Sequence, residues 1–228
     1  MYVEHFYALT AGSGNLITFL LQAQKNFIFS PFGMPETGSI GGAKRIKPVL
    51  FLMMFFLMAN IANGATYYSR VTGVFNTAGT WSVNPSGTPT NTTAITNADI
   101  FIIQNTHTVS MGASRTVAQI TIDPGGTLDV ANRILTVSGN WLNNGTISGS
   151  TGGLTGNTGT HTNNGTINFT GAGKFVITTG SLTNNGSITI PAGTLSQTSG
   201  SITNSVTGTI TKTGAGTVTF GTGNFINN

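Results

Sequence analysis

Cysteine is absent from the chain, which excludes a disulfide framework and thiolate metal sites and leaves stability to stacking and burial. Charge is nearly absent too: Asp, Glu, Lys and Arg together make up 6% of 228 residues. From Ala65 onward there is no Glu, and five basic residues (Arg70, Arg115, Arg133, Lys174, Lys212) stand against three acidic ones (Asp99, Asp123, Asp129), a net of +2. Cations this sparse do not suggest a nucleic-acid partner, which calls for Lys and Arg clustered on one face. With so few carboxylates, the paired acid and base of a glycan hydrolase have little to be built from.

What the chain does have is a repeat. Asn143-Asn144-Gly145-Thr146-Ile147 returns as Asn163-Asn164-Gly165-Thr166-Ile167 and as Asn184-Asn185-Gly186-Ser187-Ile188, then in worn form from Asn204 to Gly208-Thr209-Ile210. The glycines Gly145, Gly165, Gly186 and Gly208 are spaced by 20, 21 and 22 residues, a period that means a stacked-repeat architecture. Each repeat holds runs of about three to five residues with period-two alternation, broken by Gly or Asn-Gly, and none is long enough for a helix. A lone coil cannot bury its apolar face, so coils must stack as parallel strands about 4.8 Å apart. Stacking predicts one inward column of Ile147, Ile167, Ile188 and Ile210. It also predicts a recurring turn at Asn143, Asn163, Asn184 and Asn204, with amides hydrogen-bonding from coil to coil and a left-handed backbone suited to Asn and Gly. The expected fold is all-β, a β-solenoid read as a right-handed parallel β-helix with coils of 20–22 residues.

The first 64 residues belong to none of this. Lys44, Arg45 and Lys47 precede an uncharged apolar run over 49–59, which ends in Ala62-Asn63-Gly64. That order matches a secretory signal peptide over 43–64 with cleavage after Gly64, and the run falls short of the about 20 apolar residues of a spanning helix. A signal beginning so late makes residues 1–42 either a mis-called start, with Met34 a candidate true one, or a disordered extension. The expectation is export, to the medium or the cell surface, with membrane contact during export alone.

Residues 65–98 form a leader of different composition, with Tyr67, Tyr68 and Phe75 close together and Trp81 after them. Large rings here can cover the open first coil; the alternative is a sugar-stacking site of Tyr67, Tyr68 and Trp81. From Asp99 looser coils begin, through Ile100-Phe101-Ile102-Ile103, His107-Thr108-Val109 and Ile120-Thr121-Ile122, and coils are expected through 99–228 and past the end of the sequence. Tyr67-Tyr68-Ser69, Gly79-Thr80-Trp81-Ser82, Asp99-Ile100 with His107-Thr108-Val109, and Ile120-Thr121-Ile122-Asp123-Pro124-Gly125-Gly126-Thr127-Leu128 resemble the start of secreted Bacteroidota repeat proteins and are also similar to the eight-glycine extracellular domain found in some surface proteins. The likeness covers residues 65–145, and the Asn-Asn-Gly coils resemble the β-helical shafts of adhesins. The resemblance implies a secreted or surface-held β-helix of a Gram-negative bacterium, within a longer chain.

Few residues invite a chemical role. Asp123 and Asp129 flank one turn, but a carboxylate beside Pro-Gly-Gly is a common turn former. His107 and His161 lie far apart in sequence without Cys or Glu neighbours, a weak metal pair. Gly171-Ala172-Gly173-Lys174 lacks the rest of a phosphate loop and recurs as Gly214-Ala215-Gly216, so it is repeat punctuation. No catalytic residue, metal or cofactor is expected.

If the Ile column points inward, its neighbours point out as pairs: Thr146/Ser148, Thr166/Asn168, Ser187/Thr189 and Thr209/Thr211. This flat hydroxyl face resembles the ice-binding faces of β-solenoid antifreeze proteins, although Thr and Ser are also ordinary outward strand residues. Taken together, the sequence predicts a non-enzymatic stalk or adhesive module, a rod about 30 Å long over six coils. It would meet a polysaccharide or cell-surface ligand, or a second copy through an open terminal coil. The alternatives are an accessory segment of a carbohydrate-active enzyme and an ice-binding solenoid.

Overall fold

A computed structural model describes residues 64–228; the extension over 1–42 and the signal segment, up to residue 63, lie outside the described residues. The described chain is all-β apart from one 3-10 turn, Ala78–Thr80. It winds into a β-solenoid whose coils each contribute one strand to each of three sheets. Six full coils run from the strand Ile100–Ile103 to the strand Val218–Phe220.

The first sheet has nine strands, the second seven and the third six. Neighbouring coils pair in parallel throughout, and antiparallel pairing among the described residues is confined to the leader, where Thr66–Ser69 joins Trp81–Ser82 and an isolated bridge joins Ser82 to Thr90. Strand alternation sets which side chains go in. In Ser181–Asn184, Leu182 and Asn184 are buried while Ser181 and Thr183 are half-buried on the outside. The register places Val109, Leu128, Ile147, Ile167, Ile188 and Ile210 in one column of the second sheet. All but Ile210, which is partly buried, have no exposed surface. At about 1.5–3 kcal/mol for each fully buried large apolar side chain, such columns are what a cysteine-free chain has to hold its coils together.

The leader covers the first coil. Phe75, Trp81 and Phe101 meet with ring centroids 4.7–5.0 Å apart, and Tyr67 stacks on Phe101 at 5.7 Å. The Trp81 indole N–H donates to Phe75 O at 2.8 Å, so its polar edge is satisfied inside the core. Arg70 holds the leader loop from Nε to Gly87 O (3.0 Å) and from Nη1 to Gly79 O (3.2 Å).

The Asn-Gly turns differ from expectation in one respect. Positive φ occurs at Gly87, Gly125, Gly159, Gly216, Thr106 and Ala131, and at no glycine of the Asn-Asn-Gly turns. Glycine is needed there for close approach instead: a Cβ on Gly165 would run into Gly145 O, and one on Gly186 into Gly165 O. Coil stacking, rather than left-handed backbone, fixes the residue.

Candidate functional site

The turn between the first and second sheets carries two ladders of asparagine. The inner one is buried: Asn143 Nδ2 donates to Asn163 Oδ1, Asn163 to Asn184 and Asn184 to Asn204, each at 2.7 Å. Asn204 continues it to Asn227 at 2.8 Å. The outer ladder is exposed, with Asn185 Nδ2 donating to Asn164 Oδ1 and Asn164 Nδ2 to Asn144 Oδ1, both at 2.8 Å. The inner amides donate toward later coils and the outer ones toward earlier coils. Spare N–H groups of the inner ladder reach backbone carbonyls of the same or the next turn, such as Asn184 to Thr209 O at 3.0 Å. Such a ladder places polar groups in the core at little desolvation cost, because nearly every one finds a partner.

The hydroxyl face expected from the repeat lies on the second sheet. Thr146, Thr166, Ser187 and Thr209 form one outer column, and Ser148, Asn168, Thr189 and Thr211 the other. Both columns extend further back than the repeat suggested, to Thr127 and Thr108 in the first and to Asp129 and Ser110 in the second. The signal for these was a Thr-x-Asp and a Thr-x-Ser, hidden because the early coils lack Asn-Asn-Gly. A stricter hydroxyl array stands on the first sheet, where Thr160, Ser181 and Ser201 align beside Thr162, Thr183 and Thr203. Hydroxyl rows thus occur on more than one face of the later coils.

Of the three aromatic residues proposed as a cap or glycan contact, Trp81 has no exposed surface and Tyr67 has 5%. Neither offers a ring face to a sugar; Tyr68 alone of the three is half-exposed, on the outer column of the first sheet beside Ile102.

The titratable residues stand apart. Asp123 occupies the first corner of its coil, where burial raises its carboxyl above the ordinary carboxylate range. Asp129 ends the strand Thr127–Asp129 and accepts Ala131 N–H at 2.9 Å. His107 pairs through Nδ1 with Ser69 Oγ at 2.9 Å. His161 is in the core, stacked on Trp141 with centroids 5.3 Å apart and ring planes 11° from parallel. Its two ring nitrogens and the Trp141 indole N–H are buried without partners, and burial lowers the imidazole to about 4. Gly156 makes the room: a Cβ there would lie 2.6 Å from His161 Nε2 and 2.9 Å from Trp141 Nε1. Among the described residues no three His, Asp or Glu side chains gather in a way that could hold a metal ion.

In the last two strands, Val218–Phe220 and Phe225–Asn227, the side chains of Val218, Phe220, Phe225 and Ile226 are 40–47% exposed. Family models, curated proteins and solved structures were compared with the chain, and none matches it.

Proposed function

We propose that the segment from Ala65 is an exported structural module, a stalk or adhesive shaft, whose work is to hold surfaces at fixed spacing. The observation that carries this reading is the continuity of the solenoid: three sheets kept in register over six full coils. The later coils are tied along the first sheet by the buried amide ladder, and the outer faces carry mostly small uncharged side chains. Repeat stacking of this kind makes a stiff one-dimensional body with extended faces rather than an enclosed site. Carbohydrate or another cell-surface ligand is the partner class such faces suit. The test is to express the full chain in a Gram-negative host and determine where the protein lies and at which residue it starts. An extracytoplasmic product beginning at Ala65 is expected, and an uncleaved cytoplasmic protein would end the reading.

One observation favours a second reading. The second-sheet columns are hydroxyl-bearing at most positions along all six coils, which is the geometry an ordered water lattice would need. Asp129 and Asn168 interrupt it, and the comparable rows on the first sheet are what a charge-poor solenoid would show without any such ligand. Ice shaping or thermal hysteresis by the purified chain, abolished by Thr166→Lys, would establish it; ordinary round crystals would remove it.

A further inference from the structure

The basic residues look scattered in sequence, but the winding of the chain collects them. Arg70 is used in the leader. The other four of the described residues all fall at one corner of the solenoid, where the second sheet turns into the third. Arg115 opens the strand Arg115–Val117, Arg133 immediately precedes Ile134–Val137, Lys174 opens Lys174–Ile177, and Lys212 follows Thr209–Thr211. These residues recur at that corner in the first, second, fourth and sixth full coils, and the two exposed ones, Arg133 and Lys174, stand in adjacent register positions, Lys174 in the column of Gly153 and Ile134 and Arg133 one residue before it, two coils and so about 10 Å apart. In the third, Gly153 pairs with both Ile134 and Lys174 and leaves a notch.

No carboxylate belongs to the third sheet. Asp99 lies at the head of a first-sheet strand and accepts from the backbone N–H groups of Ala65 and Thr96. Asp123 is at the corner between the first and second sheets, and Asp129, four residues before Arg133 in sequence, is on the second sheet, accepting from Ala131. The cations keep donors to spare. Lys212 Nζ uses two, toward Pro191 O at 3.0 Å and Gly214 O at 2.8 Å. Arg115 donates from Nη2 to Ile95 O, while its Nε is buried with no partner. That guanidinium lies in a shallow groove of about 520 Å³ with Asn97, Ser114, Thr116, Ile134 and Thr136. Beside this corner runs an outer column of hydroxyls, Thr116, Thr136 and Thr155 in register.

We infer that this corner binds an acidic polysaccharide, a chain of uronate sugars laid along the rod axis. Its carboxylates would meet the exposed Arg133 and Lys174, and its hydroxyls the Thr column. Charge-assisted hydrogen bonds from Arg and Lys to carboxylate are the strong contacts such a ligand has to offer. The column beside the cations carries no aromatic ring, which is what a single-stranded nucleic acid would want for base stacking. The inference rests on the surface-module reading for its choice of ligand, since uronate chains are met outside the cell.

The experiment is affinity electrophoresis of the purified full chain through gels containing polygalacturonate, dextran or a single-stranded oligonucleotide at low ionic strength. Polygalacturonate should retard the protein, dextran should not, and the oligonucleotide should do so less. Arg133→Ser with Lys174→Ser, both at exposed positions, should weaken polygalacturonate binding about tenfold or more. Lys174→Ser combined with Thr183→Lys keeps the net charge but moves one cation to the first sheet, and it should also bind more weakly. The inference is overturned by absence of retardation, by equal retention on the oligonucleotide, or by undiminished binding of the charge-moved variant. Export is read separately: binding by a protein that is never exported sinks the surface module and not the corner, and export without binding does the reverse.

Discussion

One inward column of the first sheet is built in two ways along its length. Its early positions are Ile103 and Ile122; its later ones, in direct register, are Asn143, Asn163, Asn184, Asn204 and Asn227. Ile103 and Ile122 ask only for volume, and any neighbour of the right size serves them. Each Asn asks for another Asn directly above and below. The cost of this appears at the junction, where Asn143 Oδ1 faces Ile122 and is left buried without a partner. An apolar column therefore tolerates change one coil at a time, whereas an amide column is a collective arrangement whose weak points are its ends.

The comparison can be broken most severely at the apolar end. Trp81→Ala removes the largest ring of the leader cluster and its bond to Phe75 O, and should cost about 3–5 kcal/mol in chemical denaturation. In the amide region, Asn184→Ile severs two rungs at once, leaving Asn163 Nδ2 and Asn204 Oδ1 without each other's amide between them. A loss of about 3 kcal/mol is expected, although Ile matches the apolar coils in shape. A result near zero would mean that the ladder contributes packing and nothing more.

His161 sharpens the contrast through pH. Its column neighbours in later coils, Leu182 and Ile202, are apolar. Above pH 6.5 the imidazole is neutral whether the chain is folded or not. Below that the unfolded chain takes up the proton first, because burial holds the folded group down to about 4. Stability should fall as pH drops from 6.5 to 4 and level off beneath, by about 2 kcal/mol at pH 5 relative to pH 7. His161→Leu should abolish that slope; an unchanged slope would assign it to another group. The smallest effect belongs to the junction. Asn143→Ile moves the unpaired oxygen one coil along without creating another, so it should shift stability by less than about 1 kcal/mol.

Much of this was legible in the sequence because the later coils repeat. Asn143, Asn163 and Asn184 share a spacing with Ile147, Ile167 and Ile188, and that spacing gives the ladder, the Ile column and the outward Thr/Ser pairs together. The same spacing links Trp141 to His161, but that their rings stack in the core depends on the register of the coils. Other features required the winding itself. Thr108, Ser110, Thr127 and Asp129 join the second-sheet columns only when coils without the Asn-Asn-Gly marker are placed in register. Arg115, Arg133, Lys174 and Lys212 come to one corner because coils of unequal length still turn there. The role of Trp81 was ambiguous from composition, since a ring that seals a core and a ring that stacks on a sugar are the same residue until its neighbours are known.

The parallel ladders also decide how the rod would answer a pull. Bonds between coils run along its axis, so tension applied end to end loads the coils in series rather than all strands in shear. A coil that gives way frees about twenty residues, roughly 70 Å of extended chain at 3.3–3.6 Å per residue, where it had occupied about 4.8 Å of rod. Under force the solenoid would lengthen in discrete steps, acting as a fuse that dissipates load one coil at a time.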